Sequence, residues 1–154
     1  MKDTINIGEA ISKGQGEVAL KGWCYRERGS NNLKFIVLRD SSNIIQCVVE
    51  KKSVSEEVWE AANRVHIETS MLIKGDIKED KRAPTGYEVS VKELKVVGEC
   101  LNYPIQKDQS KEFLADNRHL WLRSRKMTSI LKIRSTVFGA IHSYFRGKGF
   151  YEYQ

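Results

Sequence analysis

The sequence predicts a mainly β fold: a small five-stranded barrel, then a connector and one long amphipathic helix. Three observations carry this reading. Between residues 17 and 96, short runs of strand character alternate with turn signals. One stretch between the third and fourth runs changes to helical spacing. Beyond Ser124, an apolar stripe follows i, i+3, i+4, i+7 spacing as far as Phe145.

The first strand, Glu17 to Arg26, places Val18, Leu20 and Cys24 on one side and Lys21, Trp23 and Tyr25 on the other. Gly22 interrupts it, and a glycine inside a strand marks a bend or bulge. Gly29-Ser30-Asn31-Asn32 is a turn signal. The second strand runs from Leu33 to Asp40. After Ser41-Ser42-Asn43 comes the third, Ile44 to Glu50, rich in β-branched residues. Val54, Val58, Ala61, Ala62 and Val65 then fall at helical spacing behind Ser53-x-x-Glu56, a capping-box pattern, and predict a helix of about three turns. Ser70 to Lys78 is the fourth strand, and Arg82 to Gly86, with Pro84, a loop. In the fifth strand Tyr87, Val89 and Val91 share one parity, while Leu94 and Val96 share the other. That slip predicts a bulge near Lys92-Glu93. Three strands, a helix and two strands is the order of an OB-fold, a Greek-key barrel whose strand 2–3 face and loops bind oligonucleotides.

The expected domains are the barrel, 1–100, a connector, 101–123, and the opening of a further domain, 124–154. In the connector, Asn102-Tyr103-Pro104 bars a helix locally. Met127, Ile130 and Leu131 begin the apolar stripe, Arg134 interrupts it, and Val137, Phe138, Ile141, Tyr144 and Phe145 resume it. Ser124 is placed to cap the start, and Gly147 or Gly149 the end. Phe150 to Gln154 reads as the beginning of a strand.

Composition narrows the function. The 154 residues carry a net charge of +6, but residues 1–100 hold 16 basic and 16 acidic residues. Residues 101–154 hold 10 basic and 4 acidic ones, so the whole excess lies there. No run is long enough for a spanning helix, the start Met1-Lys2-Asp3-Thr4-Ile5 has no apolar signal core, and three unpatterned cysteines argue against a disulfide framework or zinc ribbon. The expectation is a cytoplasmic protein with no membrane partner. His66, His119 and His142 stand at no metal-ligand spacing.

In the expected barrel, Arg26 and Arg28 leave the first strand, Phe35 lies on the second and Gln46 on the third. A cation for phosphate, a ring for stacking and an amide for base choice are what single-stranded nucleic acid requires. Pattern alone leaves Phe35 open as core or platform. Gln46 breaks the run Ile44-Ile45-Cys47-Val48-Val49, and a polar group there needs a reason. Lys81 and Arg82 read as a solvated loop, with a nucleic-acid contact as the alternative.

Trp23 to Gln46, with Arg26-x-Arg28, Phe35-x-x-Leu38-Arg39-Asp40 and Gln46 after Ile44-Ile45, resembles the anticodon-binding domain of class IIb aminoacyl-tRNA synthetases. Lys107-Asp108-Gln109-Ser110 and Phe113 to Arg125 resemble the connector and catalytic-domain opening of archaeal-type asparaginyl-tRNA synthetases. The resemblance implies that Phe35 stacks on the middle anticodon uridine, that Gln46 hydrogen-bonds it, and that Arg28, with Arg26 beside it, lies at the anticodon. It also implies that the 127–146 helix is class II motif 1, with Met127, Ile130, Leu131, Val137, Phe138 and Ile141 in a homodimer interface. Motifs 2 and 3 are missing, and Gly147-Lys148-Gly149 is not a P-loop. The expectation is therefore a tRNA-binding segment inactive by itself, whose parent attaches asparagine to tRNA using ATP and magnesium held elsewhere. The aspartate enzyme and a free-standing single-strand-binding OB protein are the alternatives.

Overall fold

The computed structural model describes residues 4–105 and 108–153. Met1 to Asp3, Gln106, Lys107 of the connector string and Gln154 of the expected last strand lie outside the described residues. The chain divides into two compact units, Met1–Tyr103 and Pro104–Gln154.

In the first unit, β1 (Gly16–Gly29), β2 (Leu33–Arg39), β3 (Ile44–Glu50), β4 (Ser70–Glu79) and β5 (Tyr87–Gly98) close a barrel in the order β1-β2-β3-β5-β4. All neighbours are antiparallel except β3 and β5. β1 serves two partners, pairing with β4 through Trp23 and with β2 from Trp23 onward. The inward parity is the expected one: Leu20, Cys24, Ile36, Leu38, Cys47 and Ile73 are fully or almost fully buried.

The bulge of β1 lies between Cys24 and Arg26, at Tyr25, and not at Gly22. Gly22 answers a different need. A Cβ there would stand 2.4 Å from the Arg39 carbonyl oxygen, so the glycine lets β1 and β2 approach. The fifth strand shifts register where Glu93 pairs with Lys74 and Val91 with Gly75, leaving Lys92 as the extra residue. Lys92 Nζ reaches Asp76 at 2.8 Å and Glu17 at 3.4 Å, joining three strands on the outside.

α2 (Glu56–Asn63) joins β3 to β4 as expected but is shorter, with eight residues. Its cap is Ser55, whose hydroxyl accepts from Val58 N, while Ser53 donates to Glu50 instead. The expected Ser53 capping box is corrected accordingly. Trp59 and Ala62 carry its apolar face into the core.

Sequence reading left α1 (Ile7–Lys13) unassigned. Its signals are local: Asn6 and Glu9 form a capping box, Gly14 ends it at φ 74°, and Ile7 and Ala10 enter the core. Asp40, at the β2–β3 turn, accepts from Ile7 N at 2.7 Å and from Ser42 N, Ser42 Oγ and Asn43 N. Burial alone would raise its pKa, but these hydrogen bonds prevail and lower it.

In the second unit the connector is not featureless. α3 (Lys111–Asp116), capped by Ser110, and α4 (Arg118–Trp121) occupy it. α5 (Arg125–Gly147) follows, with the Ser124 hydroxyl accepting from Met127 N. It closes on Gly149, at φ 83°, with Gly149 N donating to Arg146 O and Phe150 N to Phe145 O. The Phe145 and Phe150 rings meet edge to face at 5.5 Å. Among the described residues Phe150–Tyr153 pairs with no strand, and Phe150 completes the helix stop.

Candidate nucleic-acid interface

Burial of Ile36 and Leu38 turns Phe35, Val37 and Arg39 to the outer surface of β2. The open alternative for Phe35 is thereby decided: it is half-buried on the outside and not a core residue. Register places Phe35 opposite Arg28 on β1 and Val48 on β3, and Val37 opposite Arg26 and Gln46. Phe35 and Gln46 are therefore diagonal neighbours on one face, within reach of a single base. The four residues singled out from sequence come together on this face.

The Arg28 guanidinium lies 4.9 Å from the Phe35 ring centre, and that of Arg26 lies 5.5 Å from the Tyr25 ring. Both arginines are exposed, and among the described residues neither has a carboxylate partner. Glu27, between them, is ion-paired with Lys34 at 2.6 Å. A barrel that is neutral overall thus presents local positive charge beside an aromatic ring. Guanidinium groups and an aromatic ring are the groups that phosphate binding and base stacking require.

Gln46 is 8% exposed, and its Nε2 donates to Glu88 Oε2 at 3.1 Å. Glu88, 7% exposed, stands opposite Gln46 in the parallel β3–β5 pairing and is ion-paired to Lys78 at 3.2 Å. This explains how a glutamine is accommodated in an apolar run. Sequence reading missed Glu88. An acidic residue between Tyr87 and Val89 looks like any solvent-facing strand position, and only barrel closure brings β5 beside β3.

Lys81 and Arg82 lie in the β4–β5 turn. Arg82 is bound to Asp80 through side-chain contacts of 2.8 and 3.1 Å and through its backbone, which pulls the Asp80 carboxyl down to about 2. Arg82 thus engages its own loop. A groove of about 680 Å³ lies elsewhere on the barrel, against Trp23, Leu72 and Val97, and shares no residue with the Phe35 face. No cluster among the described residues has the ligands to hold a metal ion.

On α5, Met127 is partly buried while Ile130, Leu131, Val137, Phe138 and Ile141 are exposed. Arg134, which breaks the stripe in sequence, lies 5.3 Å from the Phe138 ring. It extends the apolar face through a cation–π contact.

Residues 18–97 match the family model for the tRNA anti-codon OB-fold nucleic acid binding domain. The asparagine–tRNA ligase of Thermoplasma acidophilum is 45% identical over 152 residues, covering 97% of this chain and 35% of the relative. The crystal structure of asparaginyl-tRNA synthetase from Pyrococcus horikoshii, complexed with asparaginyl-adenylate, superposes with a TM-score of 0.90 at 33% identity, over 100% of this chain and 36% of that one. The aspartyl-tRNA synthetase of Entamoeba histolytica superposes at 0.84 with 21% identity, over 99% of this chain and 39% of that one, and shares the fold alone. The chain spans about a third of the length of the curated relatives it matches.

Proposed function

Because the chain belongs to the family of OB-fold nucleic acid binding domains that includes tRNA anticodon binders, we propose that it is the anticodon-recognising part of an asparaginyl-tRNA synthetase. The observation that carries this reading is the outer face of β1-β2-β3. An outward phenylalanine stands diagonal to a glutamine, beside two arginines without carboxylate partners among the described residues. Anticodon bases are unstacked and reachable, so a ring binds one by stacking, an amide reads its edge and the arginines hold the backbone. Phe35 takes the middle uridine, Gln46 hydrogen-bonds it, Arg28 engages the neighbouring anticodon position and Arg26 a phosphate.

The parent reaction is ATP-dependent attachment of asparagine to its tRNA. ATP and magnesium belong to the remaining two thirds of the relatives' length, and no residue of this chain is assigned to them. The chain alone binds tRNA without charging it. The asparagine reading is favoured over aspartate by the 45% identity to an asparagine–tRNA ligase. It is favoured over a free-standing module because the likeness extends through α5. The α5 stripe from Met127 to Ile141 forms a homodimer interface. A reducing cytoplasm suits three cysteines that are all free, and no helix among the described residues is long and apolar enough to cross a membrane.

Titration with an anticodon stem-loop RNA tests the reading. Binding should fall about tenfold or more when the middle uridine is replaced by adenosine, since stacking and edge contacts both change. Equal affinity for the two RNAs would refute it.

A further inference from the structure

Along β1 the buried side chains fall on even positions, Val18, Leu20 and Cys24. Unbroken alternation would carry Arg26 and Arg28 inward as well. Both are exposed instead, because Tyr25 is an extra residue that reverses the phase of the strand. Arg26 then pairs with Val37 and Arg28 with Phe35, at outward positions of β2, and paired residues share a face. The two arginines reach the nucleic-acid face only because the bulge stands at position 25.

No glycine lies within two residues of Tyr25 to place the bulge locally. Contacts from Glu68, between α2 and β4, secure it instead. Glu68 N donates to Cys24 O at 2.7 Å, and Cys24 N donates to Thr69 O at 2.9 Å, so β1 is bound at the residue before the bulge. Both Glu68 carboxylate oxygens accept from Arg39 Nη2 on β2, at 2.8 and 2.9 Å. The Arg39 guanidinium lies 5.6 Å from the Tyr25 ring, and that ring lies 5.5 Å from the Arg26 guanidinium. One residue thus joins the strand before the bulge to the strand across from it, with the bulged ring beside the ion pair. Glu68 does this at φ 68°, a conformation that favours glycine, so its carboxylate is held there against backbone strain.

We propose that Glu68 and Arg39 are positioning residues: by clamping Tyr25 as the extra residue of β1, they hold Arg26 and Arg28 outward, in register with Phe35. This role rests on the reading of the face as an RNA site.

A double-mutant cycle with the anticodon stem-loop RNA tests it. Glu68→Gly suits the backbone at φ 68° and removes the carboxylate. In the wild-type background it should lower affinity about fivefold and flatten the dependence of log affinity on log salt by about 0.7, the slope one phosphate contact contributes on a single strand. In an Arg26→Ala/Arg28→Ala background it should change affinity by less than about twofold, since the groups it positions are gone. Arg39 and Glu68 also take part in other contacts, so loss of affinity alone would not single out the clamp. An equal loss in both backgrounds would overturn the positioning role, as would an unchanged affinity and salt slope in Glu68→Gly with a lowered melting temperature. If Arg26→Ala/Arg28→Ala itself binds like wild type, the RNA-site reading of the arginines fails and the role falls with it.

Arg39→Met keeps the length of the stem without the charge and guards against a Glu68 variant that does not fold. Its loss of affinity should likewise be confined to the background that holds both arginines, and wild-type binding by Arg39→Met would overturn the proposal.

Discussion

Phe35 and Ile36 are adjacent in the chain and point to opposite sides of β2, so truncating each should separate binding from stability. Ile36 is fully buried in the core cluster, and Ile36→Ala should cost about 2–5 kcal/mol through lost burial and the cavity left behind. For a unit of this size, each kcal/mol lowers the melting temperature by about 4–8 °C, so a loss of roughly 10 °C or more is expected. Phe35 is half-buried on the surface and outside the core cluster. Phe35→Ala forfeits partial burial and the Arg28 contact, about 1 kcal/mol together. Its larger effect should be on RNA, where loss of a stacked base costs about 1–3 kcal/mol, a factor of roughly 5 to 150 in affinity. Fluorescence anisotropy with a labelled stem-loop, run beside thermal circular dichroism, reads both quantities. The reasoning is refuted if Phe35→Ala keeps affinity within about twofold, or melts as early as Ile36→Ala.

Four further outcomes follow from particular contacts. Gly22→Ala should destabilise the barrel by about 3 kcal/mol, because its Cβ would meet the Arg39 carbonyl oxygen at 2.4 Å and force β1 from β2; an unchanged denaturant midpoint would contradict that close approach. Asp40 has a lowered folded-state pKa, so its contribution is complete above the unfolded value near about 3.9 and is lost as pH falls through the folded one. Asp40→Asn should therefore be less stable than wild type at neutral pH by chemical denaturation, with the gap closing in acid. Burial pushes the Cys24 thiol up to about 12 and Cys47 higher still, while Cys100 is partly exposed; a disulfide reagent should titrate one thiol in the native chain and all three in denaturant. Sedimentation at tens of micromolar should show self-association through α5, abolished by Phe138→Glu, and a monomeric wild type would count against the dimer.

The strands were legible because one face of each is buried: Leu20 and Cys24, Ile36 and Leu38, and Val89 and Val91 alternate with polar or amphipathic neighbours. The bulge at Lys92 was legible for the same reason, since the parity slip between Val91 and Leu94 needs one extra residue. α1 escaped because seven residues give too few turns for a periodic signal, although its capping box and Gly14 were available. The short helices α3 and α4 escaped for the same reason. Phe35 and Gln46 stand out by residue type and family pattern, but which way Phe35 faces was decided by the burial of Ile36 and Leu38.

By itself the sequence determined what depends on neighbours along the chain: strand and helix periods, the barrel's element order, and the charge divided between a neutral first hundred residues and a basic remainder. The tertiary structure decided what depends on pairing between distant segments. Closure of β3 against β5 brings Glu88 to Gln46 across 42 residues of sequence. The β1–β2 register lays Arg28 over Phe35 and requires glycine at 22. The physical reason is that an amphipathic period records which side of a strand is buried, whereas a strand's neighbours, and therefore the chemistry of its outer face, are set only when the sheet closes.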